Sequence, residues 1–339
     1  TSLVTQLQMK STVKWLPWLG TDSQWDIEIL KLKSPCVYQS SGWSNHRTNF
    51  GWKSVRLVSE SNRCFAQVLY KSVIKTTVVW IPGGPLGDQS EATTELVTAI
   101  QQITKSKRVY VRFNSLEELD KDSVQSLQTY NWHQVTTKLS SGLSLIYGLD
   151  KDEPTRRNAL STNWGRNLRR GESRNSEPYL WTEVSADVIT DLYTQLSEYK
   201  DLTESGEIPS AATIDSLINC CKNELRVIRC DDEAGKPLAM RGALIFGSKA
   251  WDIFAAVSPQ GRKQYSSYVA AWSLLNHCAA ENCRNYDLSG IDPVKNKGVY
   301  DFKHGTGATE IKYIGEWESG SPFFVQPIVS RLLKYRKTF

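Results

Sequence analysis

No apolar run in these 339 residues approaches the roughly 20 needed to cross a bilayer, so a membrane span is not expected. The first thirty residues mix Lys10, Lys14, Asp22, Asp26 and Glu28 with tryptophans, unlike a secretory leader, and a cytoplasmic protein is expected. C-x-x-C spacing is missing: the seven cysteines stand at 36, 64, 220, 221, 230, 278 and 283. An odd count argues against a closed disulfide framework. Without ligand spacing, the His277, Cys278 and Cys283 group reads as small core residues on a buried helix, and no metal is expected. Charge of one sign is also scarce, since 41 basic residues against 36 acidic give a net +5 that does not by itself announce a nucleic-acid partner.

What is present is locally organised. Apolar content of 40% and charged content of 23% describe an ordinary globular protein, and the length suits two domains. Strands are predicted at 54–58, 64–70, 76–82 and 108–113, with a helix over 89–104. The second half repeats the plan. Helices fall at 186–200 and 213–222, strands at 225–230, 237–246 and 250–257, and a further helix at 266–281. Twelve tryptophans, five of them (Trp15, Trp18, Trp25, Trp43, Trp52) near the start, are expected mainly in core or interface packing.

Basic charge concentrates between Arg156 and Arg174, where six arginines face only Glu172. Guanidinium forks suit phosphate, so Arg166, Arg169 and Arg170 are candidate contacts to a tRNA backbone or a nucleotide diphosphate, with a solvated helix face as the plainer reading. The densest chemistry runs from Tyr286 to Trp317. A strand Tyr286-Asp287-Leu288 breaks at Ser289-Gly290, Lys295 and Lys297 follow, then Gly298-Val299-Tyr300-Asp301-Phe302-Lys303-His304-Gly305 and a last strand from Glu310. Glycines framing one lysine suggest a cation held against a developing oxyanion.

The pattern Y-D-L-x-G-I, then G-x-Y-x-F-K, then Y-x-G-E-W resembles the C-terminal signature of the FemABX peptidyltransferases. Weaker likenesses precede it in family order at Gln39–Trp43 with Gly51-Trp52-Lys53, at Ile81-Pro82-Gly83-Gly84-Pro85 and at 160–171. The resemblance implies an α/β (α+β) fold of two tandem GNAT-like domains, mixed sheets flanked by helices. It implies a first domain of 1–155 closed by a tail at 321–339, and a second, catalytic domain of 156–320. It implies transfer of an amino acid from aminoacyl-tRNA to an amine of a peptidoglycan precursor, peptide or specialised metabolite, by a monomer needing no cofactor beyond that co-substrate.

Lys303 is then the cationic stabiliser, with Phe302 walling the reaction centre and Tyr300 on the same strand face by period two. Asp287, Gly290 and His304 are expected at the substrate, and either Asp287 or His304 is conceivable as a base. Murein-building members grip a diphosphate with a lysine near the Trp43 position and an arginine in the second domain's first helices. Here Ser44-Asn45-His46-Arg47 follows Trp43 and residues 186–222 hold no arginine, leaving His46, Arg47 or Lys53 to substitute. Two other readings stay open: an acyl-CoA N-acyltransferase acting on cell-envelope sugars, and a non-catalytic RNA- or peptide-binding protein. Against CoA, the segment 257–267 has one glycine and a proline where a pyrophosphate nest needs spaced small residues.

Overall fold

The computed structural model describes residues 13–200 and 209–335. The first lobe opens with β1 (Trp15–Pro17), α1 (Asp22–Leu30) and α2 (Ser41–Thr48), followed by the antiparallel meander β2 (Lys53–Ser59), β3 (Cys64–Val73) and β4 (Thr76–Pro82). A short β5 (Leu86–Gly87) and α3 (Thr94–Thr104) lead to β6 (Val109–Glu118), which lies parallel to β4. Then come α4 (Lys121–Thr129), β7 (His133–Gln134), β8 (Leu143–Gly148), α5 (Glu153–Asn158), α6 (Thr162–Glu172) and β9 (Tyr179–Leu180).

The second lobe repeats the arrangement. Helices α7 (Ala186–Lys200) and α8 (Ala211–Cys220) precede the meander β10 (Leu225–Asp231), β11 (Pro237–Phe246) and β12 (Lys249–Val257). After α9 (Pro259–Lys263) and α10 (Ser266–Ala280), β13 (Asn285–Asp287) pairs parallel with β12. A parallel pair needs a crossover, which α3 supplies in one lobe and α10 in the other. Helix α11 (Lys297–His304), β14 (Thr309–Ser321) and α12 (Val325–Tyr335) complete the chain.

Among the described residues all strands join one fourteen-stranded mixed sheet. Its two parts meet on β14, whose residues 309–312 pair with β8 and whose residues 313–321 pair with β6. The passage is marked by a register shift between Tyr313 and Gly315, with Gly315 at φ +78°. A bulge of this kind bends a strand, and glycine tolerates the left-handed backbone it needs. Strand β8, within 1–155 and so on the first-domain side of the expected boundary, pairs with β13 and β14 in the second sheet. Sequence separation hides that exchange.

The tail helix α12 lies on β6 and β14, burying Val325 against Val78 and Tyr110 with Val329 and Leu333 beside it. On the outer side of α12, Leu332 is 59% exposed. Among the described residues no helix is long and apolar enough to cross a membrane.

Candidate functional site

Strands β12 and β13 pair only through Lys249–Trp251 and Asn285–Asp287. The chain then leaves the sheet at Ser289, which sits at φ +62°, a left-handed conformation uncommon for serine. Ser289 is pinned there by its amide, which donates to Asp287 Oδ1 at 2.9 Å, and its hydroxyl, which donates to the Asp252 carbonyl at 2.7 Å. The divergence opens a cavity of about 290 Å³ between the lobes. Its walls include Tyr38 and Trp43 from the first lobe, Pro82 and Gly83 at the end of β4, and Asp287, Ser289, Gly290 and Tyr313.

Lys303 lies directly behind that wall. It is buried, and its Nζ donates to the carbonyls of Ser289 and Gly290, each at 3.3 Å. Burial pulls its pKa below the ordinary lysine value, with Arg241 adding to the effect and the Asp252 and Asp287 carboxylates opposing it. Beneath it Arg241 and Asp252 form a bidentate pair at 2.8 and 2.7 Å, and the Tyr286 hydroxyl donates to Asp252 at 2.8 Å. Lys303 does not itself line the cavity, but an ammonium carries three donors, so two carbonyls leave one N–H uncommitted.

The lysine does not stand on a strand. Residues 297–304 form α11, so Tyr300 and Phe302 do not share a face as period two implied. Contacts four residues apart explain the helix: Lys297 Nζ meets Asp301 at 2.6 Å, and the Tyr300 and His304 rings stack at 5.4 Å. His304 is exposed and Tyr300 reaches Glu310 at 3.3 Å, so both belong to the outer surface and neither lines the cavity. Phe302 is the anchor of α11. Its ring packs on Tyr268, Trp164 and the Arg241 guanidinium, and its carbonyl accepts from Trp164 Nε1 at 3.0 Å. Gly305 permits this approach, since a Cβ there would meet Trp164 at 2.9 Å.

Asp287 lines the cavity, yet its oxygens accept from Ser144 Oγ, Ser289 N and the Tyr313 hydroxyl, with Lys249 Nζ at 3.1 Å. A carboxylate so saturated holds the strand end and is poorly placed to take a proton. Burial and this carboxylate drive the Tyr313 phenol well above its usual pKa. Tyr313 is the tyrosine of Y-x-G-E-W, so the two arms of that signature meet at Asp287. The glutamate of the same motif, Glu316, is buried and accepts from the Arg112 guanidinium and from the amides of Leu139 and Ser140 at 2.9 and 2.8 Å. It thereby fixes the loop whose Ser140 and Gly142 reach the cavity.

The weaker motifs converge as well. The Gln39 side chain, fully buried, donates to the Pro82 carbonyl at 2.8 Å and accepts from Gln67 N at 2.6 Å, locking the glycine turn to the segment before α2. Trp43 is presented to the cavity from α2, while Arg47 and Lys71 flank Trp52 at 5.9 and 4.4 Å. Arg47 and the exposed Lys53 do not line the cavity. His46 is buried against Ser216, and burial and Arg47 push its pKa down to about 4, so it cannot stand in as a cation at neutral pH.

The arginine block divides. Arg157 is paired by Glu153 and Glu172, and Arg156 is buried under Trp272. Arg166, Arg169 and Arg170 are exposed on α6, Arg166 bonded to Asn163 and Arg170 lying over Tyr265 at 5.8 Å with Arg174 on the same ring at 5.4 Å. None of the three lines the cavity, but α6 carries Trp164, which touches Phe302. Lys249, Arg241, Asp252, Ser144 and Arg112 escaped the sequence reading. A lone arginine within Leu238–Phe246 and a lone aspartate within Ala250–Val257 were the available signal, because a charge inside an apolar strand requires a partner. Among the described residues no cluster of three or more metal-ligating side chains exists.

Residues 211–328 match the model of the FemAB family. That match covers about a third of the chain, all of it in the second lobe and the tail. A crystal structure of FemX superposes with a TM-score of 0.77 at 15% identity, covering 89% of this chain and 96% of that one. A tandem GNAT protein from the clavulanic acid biosynthesis pathway gives 0.56 at 10% identity, covering 91% and 98%. The C-terminal domain of a putative lysylphosphatidylglycerol synthetase from Agrobacterium fabrum gives 0.52 at 12%, covering 92% and 97%. At such identities the likeness is one of fold. No curated protein matches the chain by sequence. Together the comparisons give a tandem GNAT-like fold with a FemAB-family match in its second lobe.

Proposed function

We propose that the protein moves an amino acid from aminoacyl-tRNA to an amine, forming an amide on a peptidoglycan precursor, a peptide or a specialised metabolite. The observation that carries this reading is the buried Lys303 ammonium, tethered to the two backbone carbonyls that edge the interlobe cavity. An aminoacyl ester is already activated, so the protein's task is to position the amine and to stabilise the tetrahedral oxyanion. The remaining N–H of Lys303 is suited to that oxyanion, and low solvent exposure strengthens it. Asp287 and Tyr313 shape the strand end, Trp43 offers an apolar wall to the acceptor, and the exposed arginines of α6 are suited to the tRNA backbone. The amine's proton leaves through the tRNA hydroxyl or water, because the carboxylate at the cavity is occupied.

The acyl-CoA reading finds little support in the backbone. At the β12–α10 junction, where a GNAT lobe cradles pyrophosphate on amides, α9 spends those amides internally. Gly261 N donates to Ser258 Oγ, Arg262 N to the Ser258 carbonyl and Gln264 N to the Gln260 carbonyl. A Cβ on Gly261 would stand 2.1 Å from the Leu238 carbonyl oxygen, so the turn is sealed against the neighbouring strand. The test is to incubate the protein with aminoacyl-tRNAs labelled in the amino acid and with candidate amines. Label passing to an amine without added CoA is expected. Label remaining on every tRNA, with turnover of acyl-CoA instead, would overturn the proposal.

A further inference from the structure

One end of the first sheet carries a surface that transfer chemistry does not use. The register places three loops together there: β4 begins at Thr76, Thr77 pairs with Val109, and Val109 pairs with Ser321. The β3–β4 hairpin tip, the loop before β6 and the turn after β14 therefore project side by side. Their apolar residues point into solvent. Ile74 is 86% exposed and Phe323 is 87% exposed, with Phe324 next to the latter. Helix α12 continues the apolar surface, because Ile328 and Leu332, four residues apart, are 54% and 59% exposed while Val325, Val329 and Leu333 face the sheet.

The charge around these side chains has one sign. Lys75, Lys105, Lys107, Arg108 and Arg331 are all exposed. Segments 71–80, 101–111 and 319–339 contain no aspartate or glutamate. A cationic rim without acidic relief would repel a second copy of itself. Aliphatic and phenyl tips set ahead of the cations contribute little to gripping a phosphodiester backbone.

We infer that this end of the first lobe docks on an anionic lipid bilayer, with Ile74, Phe323 and the outer face of α12 entering the headgroup region and the basic loops meeting lipid phosphates. An amphipathic helix with a basic flank lies in the interface plane, and each basic residue near an anionic leaflet adds to the attraction. Four rises of extended strand separate Thr76, at the base of the hairpin tip, from Trp80 at the cavity, about 13 Å at the usual rise. Docking thus leaves the interlobe cavity clear, and it does not depend on the donor assignment.

Cosedimentation of the whole chain with phosphatidylcholine vesicles, with and without phosphatidylglycerol, tests this. Binding to the anionic vesicles only is expected, weakening as salt is raised. Ile74→Ser with Phe323→Ser, and separately Lys105→Glu with Lys107→Glu, should each lower the bound fraction by about tenfold with the near-ultraviolet circular dichroism unchanged. Wild-type protein that stays in the supernatant, or variants that bind like wild type, overturns the inference. It is equally overturned if the Lys105 and Lys107 exchange weakens tRNA retention while vesicle binding persists, which would give the face to RNA. A lower sedimenting mass on Phe323→Ser, with vesicle binding intact, would give it to a second copy.

Discussion

Two buried carboxylates from opposite lobes, Glu316 and Asp287, are held differently, and of the two Asp287 alone lines the interlobe cavity. Glu316 belongs to the part of β14 in the first sheet and answers a guanidinium and two amides. Asp287 ends β13 in the second sheet and answers two hydroxyls, an amide and the ammonium of Lys249. The first set is a rigid fork closing one loop. The second set includes Tyr313 and Ser289, which line the cavity, and the Ser289 carbonyl also accepts from Lys303. Similar burial therefore supports a scaffold in one lobe and a prospective reaction centre in the other.

That contrast can be broken by substitution. Glu316→Ala should have the largest effect, because it leaves the Arg112 charge buried and unpaired. A stability loss of about 3–5 kcal/mol is expected, measured by urea unfolding. A loss within error of zero would mean that the pair is not a scaffold. Lys303→Ala should act on chemistry, lowering kcat by about 10²-fold, the scale for losing an oxyanion donor. Its pH profile sharpens the point. A charged lysine with a lowered pKa is active below that pKa and fails as pH rises through it, so the falling limb should lie beneath the usual lysine range of about 10. A limb at or above that range would detach Lys303 from the reaction. The smallest effect is expected on α6: Arg166→Ala with Arg170→Ala should reduce the salt dependence of tRNA binding by about one unit of slope for each phosphate that is no longer neutralised. An unaltered slope would return these arginines to a solvated face.

Much of the sheet was legible. Predicted strands at 76–82 and 237–246 match β4 and β11, and the 186–200 helix matches α7, because apolar residues there recur at the period of the element they form. Helices α1 and α2 went unread, since their few apolar residues give no clear stripe. Helix α11 was misread as a strand: Tyr300 and Phe302 suggest alternation, whereas the stacking of Tyr300 on His304 is a contact only the folded chain displays. For the site, the G-x-Y-x-F-K motif led to Lys303, and Y-D and Y-x-G-E-W held the residues that meet at Asp287. Arg112 and Lys249 could not be found that way, because their partners lie 204 and 38 positions along the chain.

The strand shared by both lobes limits how the protein can move. A hinge between domains ordinarily sits in a loose linker, but here the link is hydrogen-bonded on both sides of Gly315. Opening of the cleft would have to be a flexing of β14 at its bulge, a motion of small amplitude. Neither lobe keeps its full set of strand partners if expressed alone, and the two should melt in one cooperative step.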